Sequence, residues 1–276
     1  MISTLTTNII FRAIVGSQCK DRDEFISLVK EVFVLGGGFD LPDLFPSLKF
    51  LSFVTGMKPA LESIHNKMDK ILESVINENR MKRKNSVNHQ EDLMDVLLNL
   101  QESGELDFDI TDDQIKTITR DMFGGGIETT TTTLEWAMSE LTKNPRVMEK
   151  AQGEVRQVLE GKSKTSEANM QEPVYLKSII NETLRLHPPG ALHLRQARER
   201  CEINGYKIPT GTKIFINAWA IGRDSKHWVD ADKFWPERFQ GSSIDFRGTD
   251  FEFIPFGAGR RMCPSISFAY SIVIPF

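Results

Sequence analysis

FIPFGAGRRMCPSISFA, residues 253–269, sets a single cysteine behind a glycine-rich loop with two arginines and ahead of an apolar segment able to start a helix. Three features favour the thiolate form of Cys263. They are the positive end of a helix beginning near Pro264, the backbone amides of the loop, and the neighbouring Arg260 and Arg261. A lone cysteine is more often a small buried apolar side chain. Two glycines, two arginines and a proline around one sulfur are a poor way to fill a core, so the loop marks Cys263 as a candidate ligand or nucleophile.

Bulk properties bound what this loop can belong to. A chain of 276 residues can make one large domain or two modest ones, and either can bury a real core. The composition, 40% hydrophobic and 26% charged, is ordinary for a soluble globular protein. A net charge of -4 and the lack of a basic stripe with interleaved aromatics give no reason to expect nucleic acid as a partner. Cys19, Cys201 and Cys263 are far apart and odd in number, which argues against a disulfide framework and for a reducing compartment. MISTLTTNIIFRAIVG at the front has no basic leader and no long apolar run, so it reads as neither signal peptide nor membrane span.

Upstream of the loop, helical patterns dominate. From Lys58 to about Lys84 the residues Leu61, Ile64, Met68, Ile71, Leu72, Val75 and Ile76 recur at steps of three and four, one apolar stripe on a long helix. GGGFDLPDLFP (36–46) reads as a breaker-rich connection, and MKRKNSVNHQ (81–90) as a polar, basic one. Leu93, Val96, Leu97 and Leu100 suggest a further helical face, and another helix is expected from Glu172 to His187, ended by Pro188 and Pro189. After Gly190 the texture alternates apolar and polar residues with Asn-Gly and Thr-Gly turns, which predicts a small antiparallel sheet at about 192–217. The fold class is mainly α with this small sheet.

One helix is odd. Thr111, with Gln114 completing a capping box, opens a helix that Asn144-Pro145 closes, with Asn144 also placed to cap the helix that follows. At about 34 residues it spans ~50 Å, so it is central. Yet FGGGIETTTTTLEW (123–136) puts three glycines and five threonines, all weak helix formers, at its middle. Glycine permits close approach to a backbone, and threonine hydroxyls can bond the preceding turn. Something is expected to lie against this helix.

Protein-only metal sites gather several Cys or His at short spacing, whereas His187, His193 and His227 are scattered and suit surface or core positions. A lone thiolate suits an iron already held on four sides by a macrocycle, which is haem. Here the chain resembles the C-terminal part of a cytochrome P-450, a haem-thiolate monooxygenase, of the plant microsomal type. Four motifs carry the resemblance in the family's order. Gly125-Gly126-Ile127-Glu128-Thr129-Thr130 matches the oxygen-activation motif of the central helix, and Glu182-Thr183-Leu184-Arg185 the E-x-x-R pair. Pro236-Glu237-Arg238-Phe239 matches the P-E-R-F element, and the run from Phe256 to Cys263 the F-x-x-G-x-R-x-C loop with its Gly257, Gly259 and Arg261. E-x-x-R alone is common by chance; the four together are specific.

The resemblance implies one partial P-450 domain over 1–276, with an oxygen-binding helix at 111–144 and a haem-binding loop at 256–265. Cys263 would ligate the iron of heme b (iron protoporphyrin IX). Gly125 and Gly126 would let dioxygen and porphyrin lie against the helix, Thr129 would hydrogen-bond dioxygen or a water beside it, and Glu128 would pass protons inward. Thr131 to Thr133 have a plainer reading, as packing or back-bonding residues. Glu182, Arg185 and Arg238 would hold the cysteine loop, a structural role. Arg195 and Arg261 would face haem propionates. Ala191, Leu192 and His193 would line the substrate site. The reaction implied is insertion of one oxygen atom from dioxygen into a small apolar molecule, a terpenoid or phenolic being suited to a plant member. Electrons would come from NADPH through an NADPH-cytochrome reductase. The implied location is the cytosolic face of the endoplasmic reticulum membrane, through an N-terminal anchor that this chain does not contain.

Departures from the family pattern set the alternative. Relative to a family member the chain is expected to be truncated at both ends, stopping thirteen residues past Cys263 at FAYSIVIPF, where Pro275 and Phe276 stand in place of a continuing helix. Ser265 occupies a position where the family usually has glycine, and its Cβ could crowd a bound haem. The competing expectation is therefore a catalytically inactive remnant that binds no haem.

Overall fold

The computed structural model describes residues 2–16, 20–36, 56–85, 91–159 and 173–273. Residues 37–46 of the connection predicted at 36–46, the second half of the one predicted at 81–90, the start of the helix expected from Glu172, and the chain end at Pro275 and Phe276 lie outside the described residues; Gly36 and residues 81–85, expected in connections, are helical instead. The chain divides into two compact units, one running from Ser3 to Ile127 and one beginning at Glu128.

In the first unit α1 (Ile2–Val15), α2 (Arg22–Gly36), α3 (Met57–Asn85) and α4 (Leu93–Ser103) join the front of a long α5 (Asp112–Lys143). Three rings form its aromatic centre: Phe25 and Phe123 stand 4.8 Å apart and Phe11 and Phe123 5.1 Å apart between centroids. The stripe on α3 is buried from Ile64 to Ile76, but Leu61, expected on it, is 38% exposed. The face of α4 is turned from the expected one: Met94, Leu97 and Leu98 are buried while Val96 is outside. A reciprocal capping box between Asp92 and Asp95 opens α4, and Gly104 at φ +63° closes it. Arg80 on α3 forks onto the Asp112 carboxylate at 2.8 and 2.6 Å and also reaches Gln101, tying three helices together.

The long helix starts as its sequence predicts. The Thr111 amide donates to Gln114 Oε1 at 2.8 Å, and the Gln114 amide to Thr111 Oγ1 at 3.3 Å. It stays helical through all three glycines and five threonines. At its far end Asn144 stands where expected, before α6 (Pro145–Leu159) with Pro145 first in that helix, and its carbonyl accepts the Met148 amide at 3.1 Å. Its side-chain amide turns back to the Glu140 carbonyl at 2.8 Å, so the side chain closes α5 while the backbone opens α6.

In the second unit α7 (Val174–Leu186) is followed by four short strands inside the predicted 192–217 range. They form two separate ribbons rather than one sheet: β1 (Leu192–Gln196) pairs antiparallel with β4 (Lys213–Asn217), and β2 (Cys201–Ile203) with β3 (Tyr206–Ile208). The β2–β3 turn is Asn204-Gly205, both at positive φ, as a two-residue hairpin requires. A short α8 (Ala218–Ile221), 3-10 turns at Pro236–Phe239 and Gly259–Arg261, and α9 (Ile266–Val273) follow. Leu134, Ile180, Leu184, Trp228, Phe239, Phe253 and Val273 pack into one core that joins α5, α7, the P-E-R-F turn and the entry to the cysteine loop.

Candidate functional site

The E-x-x-R pair sits on the buried face of α7, with Glu182 at 0% and Arg185 at 1% exposure. Arg185 grips Glu182 with two parallel bonds, Nε to Oε2 and Nη2 to Oε1, both 2.7 Å. Arg238, from the P-E-R-F turn, donates through Nε to Glu182 Oε1 at 3.0 Å, and the Trp235 amide donates to the same oxygen at 2.7 Å. One carboxylate thus meets two guanidinium groups, leaving a surplus positive charge in a dry place. Backbone carbonyls absorb it. Arg185 also donates to Gly222, to Ala231 at 2.6 Å and to Lys233 at 3.1 Å, while Arg238 donates to Val229 at 2.9 Å. The Trp228 ring lies beside both cations, 5.2 Å from Arg185 and 5.9 Å from Arg238.

The cysteine loop follows directly. Phe256 carries its ring into a cluster with Phe246 and Tyr270, at 5.6 and 6.3 Å. Its carbonyl accepts the Cys263 amide at 3.0 Å, which closes the loop on itself. Gly257 and Gly259 stand at φ +76° and +70°, where a side chain would be strained. Cys263 is a free thiol and half-buried, two residues before Ser265, whose carbonyl accepts the first bond of α9 from Ala269 at 2.8 Å. Helix α9 docks on α7 through the Tyr270 hydroxyl, which donates to Asn181. Burial holds that hydroxyl well above the ordinary phenol range, so it stays a donor.

Strand β1 braces the same loop. His193 and Arg195 share its half-buried face, while Leu192 and Leu194 are 55% and 52% exposed on the other. This inverts the usual apolar-in pattern, and the bonds explain it. The His193 Nε2 sits 3.0 Å from the Ile254 carbonyl, and Arg195 reaches the Arg261 carbonyl at 3.3 Å with its tip against Gly257. The two arginines expected at propionates are therefore brought together, and Arg195 keeps donors to spare. Ala191 is half-buried at the strand's start. Of the histidines, His187 binds Glu140 at 2.8 Å and stacks on Trp136, and His227 is exposed.

On α5, Gly125 and Thr129 are exposed and one turn apart, with Glu128 half-buried between them. A Cβ on Gly125 would meet nothing within 4 Å. Gly126 differs: its missing side chain faces Ile10 of α1, 3.2 Å from where a Cβ would stand, so its close neighbour in the first unit is a helix of this chain. Thr133 back-bonds the Thr129 carbonyl at 2.9 Å, and Thr131 is buried, which matches the plainer reading of these threonines.

Several site residues have no role of their own in the four motifs. A Cβ on Gly222 would stand 2.3 Å from the Arg185 carbonyl oxygen, so only glycine fits. Gly248, at φ +80°, lies against Ala258 and Met262 of the loop. Glu237, within P-E-R-F but outside the triad, takes bonds from Arg146 and Tyr175. A reading of NAWAIGRD could have flagged Gly222 as the residue after a helical turn.

Comparison with known proteins agrees with this geometry. The profile described as Cytochrome P450 matches residues 1–273. The chain belongs to the cytochrome P450 family. It is 55% identical over 273 residues to a melianol synthase of Azadirachta indica, covering 97% of this chain and 54% of that protein. A premnaspirodiene oxygenase of Hyoscyamus muticus is 50% identical over 273 residues, covering 97% of this chain and 54% of that one. A solved zebra fish cytochrome P450 with progesterone superposes with TM-score 0.79 at 26% identity, covering 98% of this chain and 60% of that one. The chain spans about half the length of the curated relatives it matches.

The residues fit the haem this family implies. Among the described residues no three His, Cys, Asp or Glu side chains gather into a metal site. A single thiolate is the donor that haem iron, held on four sides by its macrocycle, takes from a protein. Cys263 is a half-buried free thiol, and its loop holds two glycines in backbone conformations that a side chain would strain.

Proposed function

We propose that the protein is a haem-thiolate monooxygenase that inserts one atom of dioxygen into a small apolar organic substrate, with electrons from an NADPH-dependent reductase. The observation that carries this reading is the loop around Cys263: a half-buried free thiol whose amide donates to the Phe256 carbonyl, in a loop that turns through two glycines at positive φ and is braced by Arg195. Bound at that sulfur, heme b supplies the dioxygen activation that side chains alone cannot.

The chain's own residues divide the remaining work. Arg195 and Arg261 offer cationic groups to propionates beside the loop. Gly125 presents a helix face with no side chain, and Gly126 seats α5 against Ile10. Thr129 Oγ1 and the Glu128 carboxylate hold and hand on protons from the same helix. Ala191 and Leu192 offer apolar surface to substrate, while His193 serves by fixing the strand to Ile254. Kinship with the melianol synthase and the premnaspirodiene oxygenase supports a role in plant secondary metabolism. The proposed location, the cytosolic face of the endoplasmic reticulum membrane, rests on the family. Among the described residues no helix is long and apolar enough to cross a membrane.

The test is isotopic. Haem-loaded protein, a plant NADPH-cytochrome reductase and NADPH are incubated under labelled dioxygen with a panel of apolar terpenoids. One labelled oxygen in the product is the expected result. Product oxygen drawn from water, or no product while the haem is bound through sulfur and reduced, contradicts the reading.

A further inference from the structure

The triad has a second frame around it that no motif announces. Arg146, Lys150 and Glu154 lie four residues apart on α6 and so form one polar stripe. Arg146 forks onto Glu237 at 2.8 and 3.3 Å, and Lys150 reaches Glu237 at 3.4 Å and Gln240 at 3.3 Å. These contacts fall on the short turn that also carries Arg238. Glu154 acts elsewhere. Its two oxygens accept the backbone amides of Tyr175 and Leu176 at 2.8 and 2.9 Å, in the first turn of α7.

That first turn needs such a partner. The residue before α7 is Pro173, which makes no side-chain cap. A carboxylate from another helix therefore does the capping, with its charge against the positive helix end. Tyr175 joins the two halves of the stripe. Its hydroxyl donates to Glu237 at 3.1 Å, and its ring lies 3.9 Å from the Lys150 ammonium. Tyr175 also stands seven residues before Glu182, on the same face of α7. A shift of α7 along its axis would break the bonds that Glu182 makes to Arg238 and Trp235, since neither can follow α7 while Glu237 stays fixed to α6.

We propose that the Arg146–Lys150–Glu154 stripe positions the triad, setting the helix that carries Glu182 and Arg185 in register with the turn that carries Arg238. Glu154 is the chief positioning residue, because its two bonds are to backbone in a half-buried place. Arg146 is an exposed ion-pair partner, of the kind worth little alone.

Hydrogen exchange on the whole protein tests this without haem. In Glu154→Ala the amides of the first turn of α7 should exchange roughly tenfold faster, the size expected for a lost cap. The telling readout is the Trp235 amide, whose bond is to Glu182 and not to a side chain of the stripe. It should also lose several-fold protection, with Glu154→Gln, which keeps one acceptor oxygen, falling between. Unchanged Trp235 protection in both variants would reduce Glu154 to a local cap and overturn the proposal. If Glu154→Ala does not fold, Glu154→Gln alone decides by the same criterion. A second readout rests on the haem-thiolate reading: the share of ferrous–carbonyl protein with the red-shifted Soret band should fall in Glu154→Ala. A parent protein without that band contradicts the haem reading and leaves exchange at Trp235 to decide the stripe.

Discussion

Glu182 and Cys263 belong to the same unit and carry the two most telling motifs of the chain, yet their surroundings are opposite. Around Glu182 each charge has several partners within about hydrogen-bond reach, and the carboxylate is wholly buried. Around Cys263 the backbone is closed by one hydrogen bond from its amide to the Phe256 carbonyl and shaped by glycines, and the residue is only half-buried. The first is a frame, the second a socket. On the haem-thiolate reading proposed above, a group that accepts a large cofactor would leave its own surroundings open and take its rigidity from the polar cluster beside it. Trp228 and Phe253 belong to the core that the triad and the loop entry share.

This contrast can be broken from either side, and the frame should give the larger effects. Glu182→Ala leaves Arg185 buried without its carboxylate and should cost about 3–5 kcal/mol in urea unfolding, since an uncompensated interior charge is the penalty. A loss under about 1 kcal/mol would place the triad among ordinary surface pairs. Gly222→Ala follows. Its Cβ would stand 2.3 Å from a backbone oxygen that cannot rotate away, so the cost should reach or pass the top of the ~1–3 kcal/mol range for overpacking.

In the socket the effects shrink. Gly257→Ala, at φ +76°, should cost about 1–2 kcal/mol from backbone strain alone. Gly259→Ala, with open space at its Cβ, serves as the control, and similar losses would show that conformation and not crowding demands both glycines. The smallest effect is at the rim of the frame. Burial pushes the Glu237 carboxyl up, but bonds from Arg146, its own backbone and Tyr175 outweigh it and hold the group at about 2. A carboxyl depressed on folding contributes stability above its unfolded value, and that stability drains away as pH falls from about 4.5 toward 2. Glu237→Gln should therefore flatten the stability profile across that window; an unchanged slope there would sink the assignment.

Much of this was legible in the sequence, for reasons that differ by element. Thr111 and Gln114 announce a helix start because both reciprocal bonds are local, and Asn204-Gly205 announces a hairpin because only such residues take positive φ in succession. The face of α4 was misread because LMDVLLNL is apolar at most positions, so its pattern has no unique phase. The split of the predicted sheet into two ribbons could not be seen either, since alternation marks strands but says nothing of which strands pair. The triad's side chains were readable from E-x-x-R and P-E-R-F. Its carbonyl partners at Gly222, Ala231 and Lys233 were not, because they come from loop backbone without period or motif. Asn144 shows a subtler limit: its place between two helices was readable, but not that its side chain would bond the helix behind it.

The central claim is that the sulfur of Cys263 is the protein's ligand to haem iron, and one comparison tests it directly. The protein and its Cys263→Ser variant are loaded with haem, reduced, and exposed to carbon monoxide, and the Soret bands are recorded. The account predicts a red-shifted band in the parent that is lost in the serine variant. The same red-shifted band in both, or a parent that never binds haem, would contradict it.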